Sequence, residues 1–287
     1  MSVTTFQAIV CNLLAEERML SGESYVAGGV PLSVYSKSKR LSKDLDIFHD
    51  TAEALDRSWK KDISLLEAAG CSAEFLRNTP SIVEAIVSRG DEKLRIQWVR
   101  DSAYRFFPLL KHPVFGLTAH PFDLATNKVL ALGGRMEVRD WVDTISASDN
   151  IQQLGFLVYA ACGKDPGYSP SSLLAEAGRS AKYSLAEYDT LEFEGGKPDF
   201  QLLLKKWKEI LRIAVEIVEV LPPEEAGKCV LGKDRFLYTY DTIGGLRRSL
   251  DSKLLRFRGG CIGGVLPDIF EIRRGNNISG NMVGNKI

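Results

Sequence analysis

The chain has 287 residues, room for two domains of ordinary size or one large one, and its 45% hydrophobic and 26% charged residues exclude a disordered or fibrous protein. Lys plus Arg and Asp plus Glu each number 37, so bulk charge does not advertise a nucleic-acid binder. Five scattered cysteines without a Cys-x-x-Cys pair, three histidines off helix-face spacing and no Gly-x-Ser-x-Gly argue against a disulfide framework, a zinc centre and a hydrolase triad.

Phe6, Ile9, Val10, Leu13 and Leu14 recur at helical spacing and predict a first helix ending before Gly22. Tyr25-Val26-Ala27 reads as a short buried strand running into Gly28-Gly29, and Pro31 suits the first turn of the helix that follows. A basic loop, Lys37 to Arg40, leads to a strand from Asp44 to Phe48. Thr51 then caps a helix that Gly70 ends. Strands are expected at Ile82 to Ser88 and Lys93 to Arg100, joined by a hairpin turn at Arg89-Gly90-Asp91-Glu92. A proline-marked loop (Pro108, Pro113) precedes a helix from Pro121 to about Leu132 and another from near Glu137. From about Ile151 the pattern is mostly helical, and its longest helix, Asp199 to Val220, stops at Pro222-Pro223. The expected architecture is α+β. A small mixed β-sheet core flanked by helices occupies residues 1–148, and a mainly helical C-terminal domain occupies 149–287. From Lys228 onward, eleven Lys or Arg face five Asp or Glu, including Arg247-Arg248, Lys253, Arg256, Arg258 and Arg273-Arg274; this is either a solvated basic face or a polyanion-binding one.

Side chains alternate across a strand, so Asp44 and Asp46 share one face about 7 Å apart while Leu45 and Ile47 point to the core. Two hard carboxylates there can hold Mg²⁺ and share it with substrate phosphates. Gly28 and Gly29, without Cβ atoms, let backbone N–H groups approach a triphosphate.

Gly-Gly, a helix, a basic loop and Arg40-Leu41-Ser42-Lys43-Asp44-Leu45-Asp46-Ile47-Phe48, in that order, resemble the polymerase-β-like nucleotidyltransferase superfamily. More narrowly they are similar to the AbiEii-type toxin nucleotidyltransferases, which read Gly-Gly-x-x-Leu and then Arg-x-Ser-x-Asp-Leu-Asp. Asp123-Leu124-Ala125-Thr126-Asn127-Lys128 followed by Arg139-Asp140-Trp141-Val142-Asp143 resembles that family's second motif, and the likeness spans roughly residues 24 to 145. On a helix, Arg139, Asp140 and Asp143 fall within about 100° of one another, facing away from the core contact of Val138, Trp141, Val142 and Ile145.

The resemblance implies a cytoplasmic, Mg²⁺-dependent enzyme that transfers a nucleoside monophosphate from an NTP to an acceptor hydroxyl. Asp44 and Asp46 would be the metal ligands, and Gly28, Gly29, Ser42, Arg139 and Asp143 would lie on the nucleotide. Lys128 would grip phosphate, with Asp140 or Asp143 orienting Lys128, Arg139 or the acceptor. Lys39 and Arg40 either stabilise phosphate charge or belong to a solvated loop. Such proteins are typically toxins paired with a cognate antitoxin, and an RNA 3′ end such as that of tRNA is the implied acceptor; no membrane partner is expected. Two positions depart from the pattern. Val30 replaces a Ser or Thr common in the superfamily. Gln97 stands on the expected strand where a third carboxylate is usual, so Asp101 or Asp140 substitutes, two acids suffice, or the site does not catalyse. The rival is a catalytically inactive nucleotide-binding or interaction protein on the same scaffold. A third possibility is an enzyme acting on a small aminoglycoside-like alcohol.

Overall fold

The computed structural model describes residues 3–135, 137–179 and 183–264. Thr4 and Gln7 form a reciprocal capping box that starts helix α1 (Thr5–Ser21), and Gly22 ends it in the left-handed region at φ 66°. Strand β1 (Tyr25–Ala27) runs into α2 (Gly29–Tyr35). Next come β2 (Asp44–His49) and α3 (Ala52–Ala68), the latter capped by Thr51 as expected. Strands β3 (Ser72–Thr79), β4 (Ile82–Arg89) and β5 (Glu92–Arg100) form consecutive antiparallel pairs, with Gly90 at φ 60° in the turn between β4 and β5.

The proline-marked segment, expected to be a loop, contains three short strands: β6 (Tyr104–Arg105), β7 (Leu110–His112) and β8 (Gly116–Thr118). The main sheet is seven-stranded and mixed, in the order β3-β4-β5-β2-β1-β8-β7, with β2 parallel to β5 and β1 parallel to β8. The fold is therefore α+β, as expected. One face of this sheet is covered by α1 and α3, where Val10, Leu14, Leu45, Ile47, Leu55, Ile63, Ile96 and Trp98 form a dry core. The Trp98 indole donates to Asp62 at 2.8 Å within it.

On the other side lie α4 (Pro121–Arg135) and α5 (Val138–Asn150). Helix α4 runs one turn past Leu132, through Gly133-Gly134. A Cβ on Gly133 would lie 2.6 Å from Leu173 Cδ1, so the bare backbone lets the neighbouring helix close on it. That neighbour is α7 (Pro170–Arg179), which follows α6 (Leu154–Ala161). Then come α8 (Leu185–Asp189) and α9 (Phe200–Val220), whose cap Asp199 accepts from the Leu202 N–H. The later half also holds β9 (Cys229–Leu231), α10 (Ile243–Asp251), β10 (Arg256–Arg258) and β11 (Cys261–Ile262). Of the basic residues noted there, Arg247, Arg248, Lys253 and Arg256 are exposed, and Arg258 lies over the Phe107 ring; Arg273-Arg274 lie outside the described residues. Every described cysteine is free, and no described helix is long and apolar enough to cross a membrane.

Candidate active site

A cleft of ≈ 350 Å³ opens between the uncovered face of the sheet and α4. Strand register sets cross-strand rows beneath it, Asp44 beside Arg95, then Asp46 beside Gln97 and Glu84, then Phe48 beside Val99 and Ile82; Asp44, Asp46, Gln97, Phe48, Val99 and Ile82 line the cleft, and Arg95 and Glu84 stand next to them. Residues two apart share a face, so the acids stand in adjacent rows and the third row is an apolar shelf. Leu124, Asn127, Lys128, Ala131 and Arg135, at helical spacing on α4, make the facing wall.

The two glycines are required by what they touch. Gly28 has φ 71° and ψ −149°, and a Cβ there would sit 1.8 Å from Asp46 Oδ2. At Gly29 a Cβ would lie 2.8 Å from Ser42 Oγ and 3.0 Å from an Arg40 guanidinium nitrogen. The turn thus presses bare backbone against the second aspartate, with Ser42 and Arg40 immediately behind it.

Asp46 accepts no hydrogen bond from any described residue, and burial pushes its carboxyl up to about 6; Lys128 opposes the shift and Asp44 adds to it. Arg139 reaches Asp44 at 3.4 Å from the rim. Lys128 is held by Asp140 at 2.7 Å and Asp143 at 3.1 Å. Asp143 also takes both arms of Arg40, at 2.7 and 2.8 Å, and Asp140 takes Arg135 at 2.7 Å. Burial works against ionisation of both acids, but Lys128 with Arg40 or Arg135 outweighs it and holds both carboxyls below the usual range.

The polar face of α5 is therefore not turned away from the protein's interior. Asp140 and Asp143 have 0% and 1% exposed side chains because α5 is packed on both sides, with its acids meeting cations from α4 and the loop before β2. A surface pair between Arg139 and Asp143 does not form among the described contacts. Asp140 is enclosed by Lys128 and Arg135, which both line the cleft, while Asp140 itself stands behind them. Asp101 lies past the end of β5, exposed, and lines a separate hollow with Asp50 and Ser102. Lys39 is exposed and also outside the cleft, whereas Arg40, Ser42, Asp44, Asp46, Lys128 and Arg139 all line it. No group of three or more His, Cys, Asp or Glu suited to a metal occurs among the described residues.

Sequence reasoning missed Glu84 and Arg135 and gave Asn127, inside the second motif, no role. Glu84 was recoverable: equal steps back from the Gly90-Asp91 turn pair it with Gln97. Its carboxylate accepts from Arg95 at 2.5 Å and from Gln97 Nε2 at 3.3 Å, and Arg95 holds it below the usual range. Asn127 is fixed through its oxygen by Lys164 at 2.7 Å.

No protein-family profile matches the chain, and no curated protein does. In structure it is similar to JHP933 from Helicobacter pylori, at 14% identity and a TM-score of 0.45 over 76% of this chain and 95% of that one. A second H. pylori protein gives 16% identity and a TM-score of 0.44 over 75% and 93%. MenT4, a nucleotidyltransferase toxin from Mycobacterium tuberculosis H37Rv, gives 13% and 0.44 over 76% and 84%.

Proposed function

We propose that the protein transfers a nucleoside monophosphate from an NTP to an acceptor hydroxyl and releases pyrophosphate. The observation that carries this is an acid pair ringed by cations: Asp44 and the unbonded Asp46 share one cleft with Arg40, Lys128, Arg135 and Arg139. Carboxylates with lone pairs to spare suit a hard divalent cation, and the surrounding positive charge suits a polyphosphate.

The donor set fits Mg²⁺, which takes one or two carboxylates and completes its shell with phosphate oxygens and water. When bound, Mg²⁺ neutralises phosphate oxygens and helps bring the attacking hydroxyl into line. Asp44 and Asp46 would hold it. Gly28 and Gly29 give the β- and γ-phosphates unobstructed backbone beside Asp46. Lys128, fixed by two buried aspartates, meets phosphate with little loss of side-chain freedom. Arg135 and Arg139 close the ring from the open side. The acceptor oxygen bonds to the α-phosphorus, the bond to the pyrophosphate oxygen breaks, and the hydroxyl proton passes to solvent.

The likeness of Arg40 to Asp46 and of Arg139 to Asp143 to the AbiEii motifs supports a toxin role in the cytoplasm, with an RNA 3′ end as acceptor and a cognate antitoxin as partner. The test is incorporation of labelled NMP by purified protein with Mg²⁺, each NTP, a total tRNA pool and an aminoglycoside panel. Asp44→Ala and Asp46→Asn should each lower incorporation at least about a hundredfold, as loss of a transition-state charge contact does. Full incorporation by Asp44→Ala overturns the proposal. NTP binding without pyrophosphate release marks a non-catalytic nucleotide-binding protein instead.

A further inference from the structure

Gln97 occupies the place beside Asp46 on the adjacent parallel strand. Which end of its amide faces the cleft is fixed by charge. Glu84, paired with Arg95, can only accept, so the atom turned toward it is Nε2, and Oε1 is left on the cleft side. Among the described residues no donor reaches that oxygen. The chain Arg95 to Glu84 to Gln97 thus presents a neutral acceptor, held in one orientation, next to the metal-binding acid.

The strand order gives this acceptor a direction. Across the sheet run β5, β2 and β1, so Gln97 flanks Asp46 on one side; on the other Ala27 pairs with it, and Gly28, the next residue, presses its backbone against the Asp46 carboxylate. In an in-line displacement the attacking oxygen and the leaving pyrophosphate lie on opposite sides of the α-phosphorus. With pyrophosphate at Gly28-Gly29, the attacking hydroxyl stands on the Gln97 side, above the shelf of Phe48, Val99 and Ile82.

Resting on the nucleotidyltransferase reading, we infer that Gln97 is the acceptor-positioning residue: its Oε1 accepts a hydrogen bond from the attacking hydroxyl, and Glu84 holds the amide in the sense that permits this. The amide orients the hydroxyl and does not take its proton, which leaves to solvent as the oxygen bonds to phosphorus.

The experiment measures NMP transfer to a total tRNA pool at varied RNA, and binding of an α,β-methylene NTP with Mg²⁺, for the full chain. Gln97→Ala should lower kcat/KM for RNA by about tenfold to a hundredfold, the range expected for one lost hydrogen bond, with analogue affinity within about twofold of wild type. Gln97→Glu should also be impaired, because it sets two carboxylates face to face. The E84Q/Q97E double exchange, which again pairs an amide donor with a carboxylate, should recover transfer. A matching loss of analogue affinity in Gln97→Ala, unchanged RNA kinetics, or a double exchange no better than Gln97→Glu overturns the inference. If wild-type protein transfers nothing to the pool, the underlying reading falls and this one with it; if only the variants depart from expectation, this one alone falls.

Discussion

At the scale of single residues, Asp46 couples metal binding to pH. Its carboxyl is raised from 3.8 to about 6, first by burial. For a carboxyl raised on folding, the stability it contributes is fully present below the unfolded value and is lost as pH rises through the folded one. Above pH 6 the metal-free protein therefore carries a partly buried charge that costs at most on the order of 3 kcal/mol, since each pKa unit is worth about 1.4 kcal/mol. A bound cation removes that cost. The rise in Tm on adding Mg²⁺ should be large at about pH 7.5 and should shrink as pH falls through 6, because the ion must then displace a proton. In Asp46→Asn the metal-free protein should be more stable than wild type at the higher pH and gain little from Mg²⁺. A Tm response to Mg²⁺ that is flat with pH in the wild-type protein would contradict this account. The same residue shows what was legible beforehand. Alternation placed Asp44 and Asp46 on one face, but no spacing rule shows that Gly28 presses its backbone against one of them.

At the scale of elements, α5 is the instructive case. Its periodicity correctly grouped Arg139, Asp140 and Asp143, yet a helical wheel cannot tell a solvated polar face from one buried against partners distant in sequence. Here the partners are Lys128, twelve positions before Asp140, and Arg40, more than a hundred before Asp143. The difference sets the cost of mutation. Asp143→Ala would leave Arg40, 4% exposed, without its bidentate acid and Lys128 with only one, and should destabilise by about 3–5 kcal/mol in urea unfolding. Arg139→Ala, at a side chain 40% exposed, should cost less than about 1 kcal/mol while lowering NMP transfer. Comparable stability losses in the two variants would show that the buried ion pairs of Asp143 contribute no more to folding than the exposed Arg139 does. Strands β1, β2, β4 and β5 were readable because apolar residues alternate or cluster there. Strand β3 was not: it is an edge strand, mostly exposed, with a bulge between Phe75 and Arg77 that breaks the alternation. Strands β7 and β8 are too short to show a period and gain their place only by pairing.

At the scale of the molecule, the halves on either side of residue 148 share one apolar core. Trp141, Val142 and Ile145 belong to the same cluster as Leu157, Tyr188, Phe200 and Trp207, and the Trp141 and Phe200 rings meet edge to face at 6.0 Å. The site depends on this joining as well. The loop before β2 pairs Arg40 with Phe193 in a β-bridge, Leu41 N–H donates to Glu192 at 2.9 Å, and Glu194 N–H donates to Lys39 at 2.8 Å. Residues from the later half thus fix the backbone that carries Arg40 and, four positions on, Asp44. A chain cut after residue 148 would expose the Trp141 face to water and free this loop together. It should bind a hydrophobic dye, lose near-ultraviolet dichroism and fail to bind an NTP analogue with Mg²⁺. The intact chain should unfold in calorimetry as one transition whose van't Hoff and calorimetric enthalpies agree. Two resolved transitions, with the nucleotide analogue shifting only the first, would mean instead that the earlier half builds the site alone and that the bridge to Phe193 is incidental.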